Sequence, residues 1–145
     1  MLRAVVDPGV LISALISSGG PPAALVRRWL DGSVQFVWSP ELLEEFESVC
    51  RRPRFREWFS ESEAESIAAL LRDAGEYHAD VDTNAPPPPD DGDRYLVDLA
   101  VDAAADCLVT GDAGLLSHAI PGLRIVSPRA VLDVLDDLED RSKQV

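Results

Sequence analysis

Apolar residues along the chain follow two patterns, short continuous runs and longer stretches with helical spacing. The runs at 2–6, 34–38, 107–110 and 123–126 are mostly apolar and predict buried strands, while 77–81 is a weaker strand candidate. Apolar residues in these runs follow one another instead of alternating with polar ones. This pattern is typical of a parallel sheet that is covered on both faces.

Helices are predicted between these strands by apolar spacing and by local start signals. Ser39-Pro40 and Ser127-Pro128 each offer a capping hydroxyl followed by a proline whose missing N–H costs nothing at that position. Ser60 and Glu63 form a capping-box pattern. The predicted helices cover residues 10–16, 23–30, 40–51, 61–72, 93–105, 113–119 and 130–138.

The order of these elements predicts an α/β fold of three layers. A central parallel sheet of about five strands is flanked by helices on both faces. At 145 residues the chain has the length of one domain, which we place at 1–140, with 141–145 as a disordered tail. Residues 82–91 include the four prolines at 86–89 and predict an irregular surface connection, the proline-rich loop.

Charge and cysteine content narrow the class of protein. The formal charge is −13, from 13 basic and 26 acidic residues, whereas proteins that bind nucleic acid mainly by neutralising phosphates are usually basic. An enzyme whose carboxylates meet phosphates through a divalent cation remains compatible with this charge. No run of eighteen apolar residues occurs, and Cys50 and Cys107 lack metal-ligand spacing. We therefore expect a cytoplasmic protein with two reduced, buried thiols and no membrane partner.

Two aspartates occupy positions where a parallel α/β sheet binds ligands, and a third begins a helix. Asp7 directly follows the first strand, and Asp112 follows the 107–110 strand by two residues. Ligands of such sheets bind outside the carboxyl ends of the strands, so these two acids are expected at the functional edge. Asp93 begins a predicted helix, where an acid also serves as an ordinary capping residue.

The acids of the 40–51 helix divide according to their angle around the helix axis. Glu41 and Glu44 lie far from the apolar stripe and belong to the solvated face. Glu45 and Glu47 both lie at the boundary of the stripe, on opposite sides of it. Helical periodicity therefore leaves two candidates for a fourth site acid.

Four motifs follow one another along the chain. They are VVDPGVL at 5–11, SPELLEEF at 39–46, DDGDRYL at 90–96 and ADCLVTGD at 105–112. In this order and spacing they resemble the PIN-domain family, in particular its bacterial branch of toxin components of toxin–antitoxin pairs. The resemblance implies a metal-dependent ribonuclease that uses Mg²⁺ or Mn²⁺, acts on RNA as a homodimer and has an antitoxin protein as partner. It also selects Glu45 over Glu47.

The resemblance implies four site acids and individual roles for them. Asp7, Glu45, Asp93 and Asp112 match the catalytic acids of the family. Asp7, Asp93 and Asp112 match the metal ligands, and Glu45 matches a ligand or an orienter of the attacking water. Carboxylates suit this chemistry because Mg²⁺ prefers hard oxygen ligands and lowers the pKa of a bound water.

The chain departs from the family pattern beside two of these acids. The family usually has threonine or serine and then asparagine after the first aspartate, whereas this chain has Pro8 and Gly9. Many relatives carry another aspartate two residues after Asp112, where this chain has Gly114. Loss of a group that supports a metal ligand commonly lowers metal affinity or activity by about 10- to 100-fold. The alternative function is therefore a catalytically lapsed module that binds RNA or protein.

Residues 51–56 form the one dense basic segment of this acidic chain. Arg51, Arg52 and Arg54 are candidates for binding phosphates of a substrate, with Phe55 available to stack on a base. The alternative is a solvated connection between two helices.

Several other residues are assigned by the same pattern analysis. Asp98 and Asp102 are expected to be solvated. Trp58 is one of a few apolar residues, with Leu70 and Leu71, that are expected either in the core or at a partner interface. A phosphotransfer domain with a nucleophilic aspartate is disfavoured because the only lysine is at position 143.

Overall fold

The computed structural model describes residues 1–144 and has one five-stranded sheet. Its strands are β1 (Leu2–Val6), β2 (Val34–Trp38), β3 (Glu76–Tyr77), β4 (Cys107–Val109) and β5 (Arg124–Val126). They lie in the order β3-β2-β1-β4-β5, and each neighbouring pair is parallel. The predicted α/β fold with a parallel sheet of about five strands is confirmed.

Seven α-helices are present in residues 1–144. They are α1 (Pro8–Ile16), α2 (Pro21–Leu30), α3 (Pro40–Cys50), α4 (Glu61–Ala74), α5 (Arg94–Asp102), α6 (Ala113–Leu116) and α7 (Pro128–Lys143). The predicted start signals operate as expected, since the Ser39 and Ser127 hydroxyls cap α3 and α7. Ser60 and Glu63 form both bonds of the capping box at α4.

The helices cover both faces of the sheet, because successive strand residues point in opposite directions. In β1, Ala4 and Val6 pack into one buried cluster together with side chains of α1, α2, α4 and α7. Val5 packs into a second cluster with side chains of α5 and α6. Strand β1 is therefore buried on both sides, as its continuous apolar sequence predicts.

Element boundaries differ from the prediction where side chains or backbone conformation intervene. Helix α1 begins at Pro8, two residues early, because the Asp7 carboxylate caps it. Helix α5 ends at Asp102, three residues early, and Ala104 then adopts a left-handed conformation with φ of 49°. Residues Pro53–Glu57 form a 3₁₀ turn where no element was predicted.

The C-terminal segment also differs from the prediction of a disordered tail from residue 141. Helix α7 continues through Lys143, so most of that segment is helical. Val145 lies outside the described residues.

The strand order places a crevice above β1 and β4. The chain proceeds from β1 to β2 in one direction across the sheet, and from β4 to β5 in the other. Such a reversal opens a gap between the connections at the carboxyl ends of the two central strands. The residues that directly follow β1 and β4 lie at this gap.

Candidate active site

Asp7 and Asp112 lie at the ends of two adjacent strands and share a contact with one threonine. Val6 of β1 is in register with Val109 of β4, so the chain leaves both strands at the same level. The hydroxyl of Thr110 donates to Asp7 Oδ2 at 2.8 Å and accepts from the backbone N–H of Asp112 at 3.0 Å. The predicted closeness of the two acids is thus produced by direct β1–β4 pairing and by Thr110.

Both aspartates are also fixed by the backbone of the helix that follows each of them. Asp7 Oδ1 accepts from the N–H of Gly9 at 3.0 Å, and Asp112 Oδ2 accepts from the N–H of Leu115 at 2.9 Å. A carboxylate at a helix start is favoured by the dipole as well as by these bonds. The bonds restrict the rotamers of both side chains and hold the carboxylates at the edge of the sheet.

Asp93 lies at the N-terminus of α5, close to the other acids. Burial, and after it the negative charges of neighbouring carboxylates, raise the pKa of its carboxyl to about 6. In decreasing order of effect, these neighbours are Asp7, Asp90, Asp112 and Glu45. The Asp93 side chain makes no capping hydrogen bond to its own helix. The capping role that sequence alone allowed for Asp93 is therefore not what its side chain does.

Glu45 reaches the same group of acids from α3. The hydroxyl of Tyr95 donates to Glu45 Oε2, while Glu47 lies on the other side of the helix, 3.6 Å from the guanidinium of Arg72. Burial, followed by this hydrogen bond and the charge of Glu45, raises the pKa of Tyr95 well above its usual value. Tyr95 is therefore a neutral donor that orients Glu45. Tertiary contacts thus separate the two glutamates that helical periodicity could not.

Three of the four acids line two clefts. A cleft of about 320 Å³ is lined by Asp7 and Asp112, together with Ser13 of α1. A second cleft of about 320 Å³ is lined by Glu45 and Tyr95. The acids of both clefts act on Asp93, at the start of α5, because their negative charges raise its pKa.

A divalent metal suits the donor set chemically. Among residues 1–144, no three Asp, Glu, His or Cys side chains are placed so that they could hold one ion jointly. Mg²⁺ usually keeps several waters and is held by only one or two carboxylates, so it does not require such a cluster. The pKa of Asp93 is raised first by burial and then by the charges of neighbouring carboxylates, and a bound cation would offset both effects. The residues present therefore fit a hydrated Mg²⁺ or Mn²⁺ ion.

A sequence model of the PIN domain matches residues 3–114, which is most of the chain and contains all four acids. The chain belongs to the PIN-domain family. PIN domains are typically nucleases, commonly bind nucleic acids and usually use divalent metals. A search of curated proteins found no match to the chain.

The two glycines that depart from the PIN pattern lie against the site aspartates. A Cβ atom at Gly114 would lie 3.1 Å from Asp112 Oδ2, and one at Gly9 would lie 3.5 Å from Asp7 Oδ1. A side chain at Gly114 would thus require the Asp112 carboxylate to shift. The absence of a side chain at Gly114 leaves the Asp112 carboxylate in the position set by its helix cap, whereas a Cβ at Gly9 would make only ordinary contact with Asp7.

Sequence reasoning missed two residues of the site, Thr110 and Tyr95. Thr110 is completely buried although it is polar, and its position between an apolar strand and Gly111-Asp112 was the available signal. Tyr95 is an aromatic residue in the first turn after Asp93, and only its contact across to α3 reveals its role. Asp90 caps the turn that precedes Asp93, since its Oδ1 accepts from the N–H of Gly92 at 2.9 Å.

The basic segment lies beyond the C-terminus of α3 and not among the acids. The side chains of Arg51, Arg52 and Arg54 are exposed. Phe55 was expected to be available for stacking on a base, but it is half-buried, stacks on Phe59 at 5.5 Å and is covered by the guanidinium of Arg54. That expectation for Phe55 is wrong.

The structure also corrects the expectation that Asp98 is solvated. Asp98 is only 2% exposed, and its carboxylate accepts from the Thr83 hydroxyl at 2.6 Å and lies 3.8 Å from Arg94. It therefore anchors the proline-rich loop to α5. Asp102 is more exposed and lies 3.0 Å from His78.

No single helix in residues 1–144 is long and apolar enough to span a membrane. Helices α1 and α2 have the length and hydropathy of a membrane span only when taken together, and they are bent by 102° relative to each other.

The two cysteines are free and buried, as predicted, and burial raises the pKa of Cys50 to about 11 and that of Cys107 to about 12.

Proposed function

We propose that this PIN domain is a metal-dependent endoribonuclease. The observation that carries the proposal is the convergence of four carboxylates, supplied by four separate elements, at the switch point of a parallel sheet. Ligand sites of such sheets lie at this position. Phosphodiester hydrolysis is the chemistry that such an oxygen-rich, negatively charged site supports through a divalent ion.

The residues of the site would have three roles, which are to hold the metal ion, to orient the attacking water and to accept its proton. Asp7, Asp93 and Asp112 are the candidate ligands, of which one or two would hold a hydrated Mg²⁺ or Mn²⁺ ion, and the ion when bound would supply Lewis-acid chemistry at the phosphodiester. Glu45 orients the attacking water and accepts its proton, because its carboxylate is positioned by Tyr95 at the adjacent cleft.

Positioning of these acids depends on neutral donors. Thr110 fixes the carboxylate of Asp7 by a side-chain bond, and the backbone of α6 fixes that of Asp112. Such partners keep metal ligands in one orientation and commonly affect metal affinity 10- to 100-fold.

Within this proposal the biological setting follows the bacterial branch that the motifs resemble. The chain would act in the cytoplasm as the toxin of a toxin–antitoxin pair, with RNA as substrate, an antitoxin protein as partner and a second copy of itself as a homodimer. Co-purification with the product of an adjacent gene, and a molar mass of two chains in solution, are the observations that would support this setting.

The experiment is cleavage of labelled single-stranded and structured RNAs by the purified protein in Mg²⁺, in Mn²⁺ and in EDTA. Asp93→Asn is prepared identically, and Asp137→Asn, at an exposed position of α7, is the matched control. We expect cleavage that requires a metal, vanishes in Asp93→Asn and persists in Asp137→Asn. Cleavage retained by Asp93→Asn would contradict the assignment of the site.

A second candidate function is a PIN-type binding module that has lost catalysis. It is favoured by Pro8, Gly9 and Gly114, because a threonine or serine, an asparagine and an aspartate are missing from these positions beside the acids. Metal binding by the wild-type protein without cleavage of any RNA in the panel would favour this module over the nuclease.

A further inference from the structure

The segment from Arg51 to Trp58 concentrates positive charge in a chain whose formal charge is −13. Around it, the neighbouring acids already have partners. Arg72 lies 3.6 Å from Glu47 and 2.6 Å from Glu65, and Arg56 lies 3.6 Å from Glu61.

Three arginines of the segment are left over after this pairing. Arg51, Arg52 and Arg54 make no ion pair with any acid in residues 1–144, whereas Arg56 is occupied by Glu61 and by the carbonyl of Cys50. All three are exposed. Glu57 is the only acid within the segment, and the three glutamates that share a cleft with Arg51 are already paired with Arg56 or Arg72. A polyanion would therefore find guanidinium groups without ion-pair partners here.

Trp58 adds an aromatic surface to these arginines. Trp58 is 54% exposed, whereas Trp29 is only 6% exposed. The backbone of Trp58 is fixed, since its N–H donates to the carbonyl of Phe55 at 2.9 Å. On either side of it in the sequence, Phe55 and Phe59 stack with their ring centroids 5.5 Å apart and anchor the 3₁₀ turn on the core. The indole is therefore presented to solvent by a well-supported turn.

Helix α3 connects this surface to the acidic site. Glu45 and Ser48 line the same cleft, and α3 ends at Cys50, directly before the basic segment. Arg52 has an extended backbone just beyond the helix, and its N–H donates to the carbonyl of Val49. Five residues at about 1.5 Å each separate Glu45 from the end of α3 by about 8 Å along the axis.

We propose that Arg51, Arg52, Arg54 and Trp58, here called the arginine–tryptophan surface, bind single-stranded RNA that extends from the acidic site along α3. The arginines contact phosphates, and the indole of Trp58 stacks on an unpaired base. A single strand is required because a base within a duplex does not offer its face to an indole. This proposal rests on the proposed nuclease function for its substrate and extends it to strand type and to direction across the protein.

The test measures binding separately from cleavage. Anisotropy of a fluorescein-labelled 12-nucleotide RNA is recorded in EDTA at several salt concentrations, with the same sequence as a duplex for comparison. The triple variant Arg51→Gln, Arg52→Gln and Arg54→Gln is compared with a control that removes the same charge, namely Arg124→Gln, Arg141→Gln and Lys143→Gln. The control residues lie at the start of β5 and at the end of α7, away from the carboxyl edge of the sheet.

We expect the first triple variant to bind single-stranded RNA at least tenfold more weakly than the control. The slope of log affinity against log salt should fall in magnitude by about 2, because each lost phosphate contact contributes about 0.7 for a single strand. Equal affinities of the two triple variants would overturn the proposal, as would wild-type binding that is as tight for the duplex as for the single strand.

Trp58 is tested by substitution and by its fluorescence. Trp58→Ala should weaken binding about tenfold, whereas Trp58→Phe should keep most of the affinity because it keeps a stacking ring. RNA should quench wild-type tryptophan fluorescence but not that of Trp58→Phe. A change in molar mass without a change in RNA affinity would instead make Trp58 an interface between copies of the chain and overturn its role.

These outcomes are distinguishable from failure of the nuclease proposal. If no RNA is cleaved but the arginine variants still lose binding, the surface stands and the catalytic proposal fails. If cleavage depends on Asp93 but the arginine variants bind RNA normally, the catalytic proposal stands and the surface is wrong.

Discussion

In the metal-free protein, burial and acidic neighbours disfavour the charged form of Asp93, and replacing Asp93 by asparagine removes this charge. The pKa of Asp93 is raised from its ordinary value of 3.8 to about 6, so the folded protein binds this proton more tightly than the unfolded chain. A raised pKa of an acid favours the native state at low pH, and this contribution is lost as the pH rises through about 6. Wild-type protein therefore carries a cost at neutral pH that the asparagine variant lacks.

The size of this effect follows from the shift in pKa. A difference of about two pH units corresponds to about 3 kcal/mol at 1.36 kcal/mol per unit. Asp93 is partly exposed, so solvent screening reduces the figure, and loss of a favourable charge at the start of α5 opposes it by up to about 1 kcal/mol. We expect Asp93→Asn to be more stable than wild type by about 1 kcal/mol at pH 8, which is about 4 °C in Tm.

The assay is thermal and urea unfolding from pH 4 to pH 8 in EDTA, with Asp137→Asn as control. The advantage of Asp93→Asn should be present above about pH 6 and should vanish near pH 4, whereas the control should show no such trend. Mg²⁺ or Mn²⁺ should then raise the Tm of wild type more than that of Asp93→Asn. A variant that is less stable at pH 8, or a difference that is independent of pH, would refute the crowding of Asp93 by other carboxylates.

Three other variants test the positioning of the site and the anchoring of the adjacent loop. Thr110→Val removes the buried donor to Asp7 and should cost about 1–2 kcal/mol in urea unfolding and about tenfold in Mn²⁺ affinity measured by calorimetry. Tyr95→Phe keeps the ring but frees Glu45, so kcat for RNA cleavage should fall about tenfold with little change in KM; an equal fall in stability and kcat would instead mean a structural role. Asp98→Ala should cost about 2 kcal/mol and make the proline-rich loop more susceptible to limited proteolysis, and unchanged protease resistance would contradict its anchoring role.

Features that depend on neighbouring residues in the sequence were the predictable part of this fold. The apolar run of β1 and the Ser39-Pro40 start of α3 are local signals, and both produce the expected elements. The positions of Asp7 and Asp112 were predictable for a related reason. Both follow strands directly, and a parallel sheet gathers strand ends at one edge whatever the loops do.

Features that depend on distant residues were not predictable in this way. Asp98 was expected to be solvated, but Thr83, fifteen residues earlier, folds back and buries it. The choice between Glu45 and Glu47 depends on Tyr95 and Arg72, which lie on two other helices. Helical angle describes one helix in isolation and contains no information on which element packs against each side.

The most direct test of the proposed metal site is the location of a bound divalent ion. Crystals of the protein soaked in MnCl₂ would be examined for anomalous scattering from manganese, with Asp93→Asn crystals treated in the same way. The account predicts a manganese peak in contact with carboxylate oxygens of Asp7, Asp93 or Asp112 in the wild type, and a weakened or absent peak in the variant. Manganese bound only in a third cleft, which is lined by Glu41, Asp80 and Asp82, would contradict this expectation.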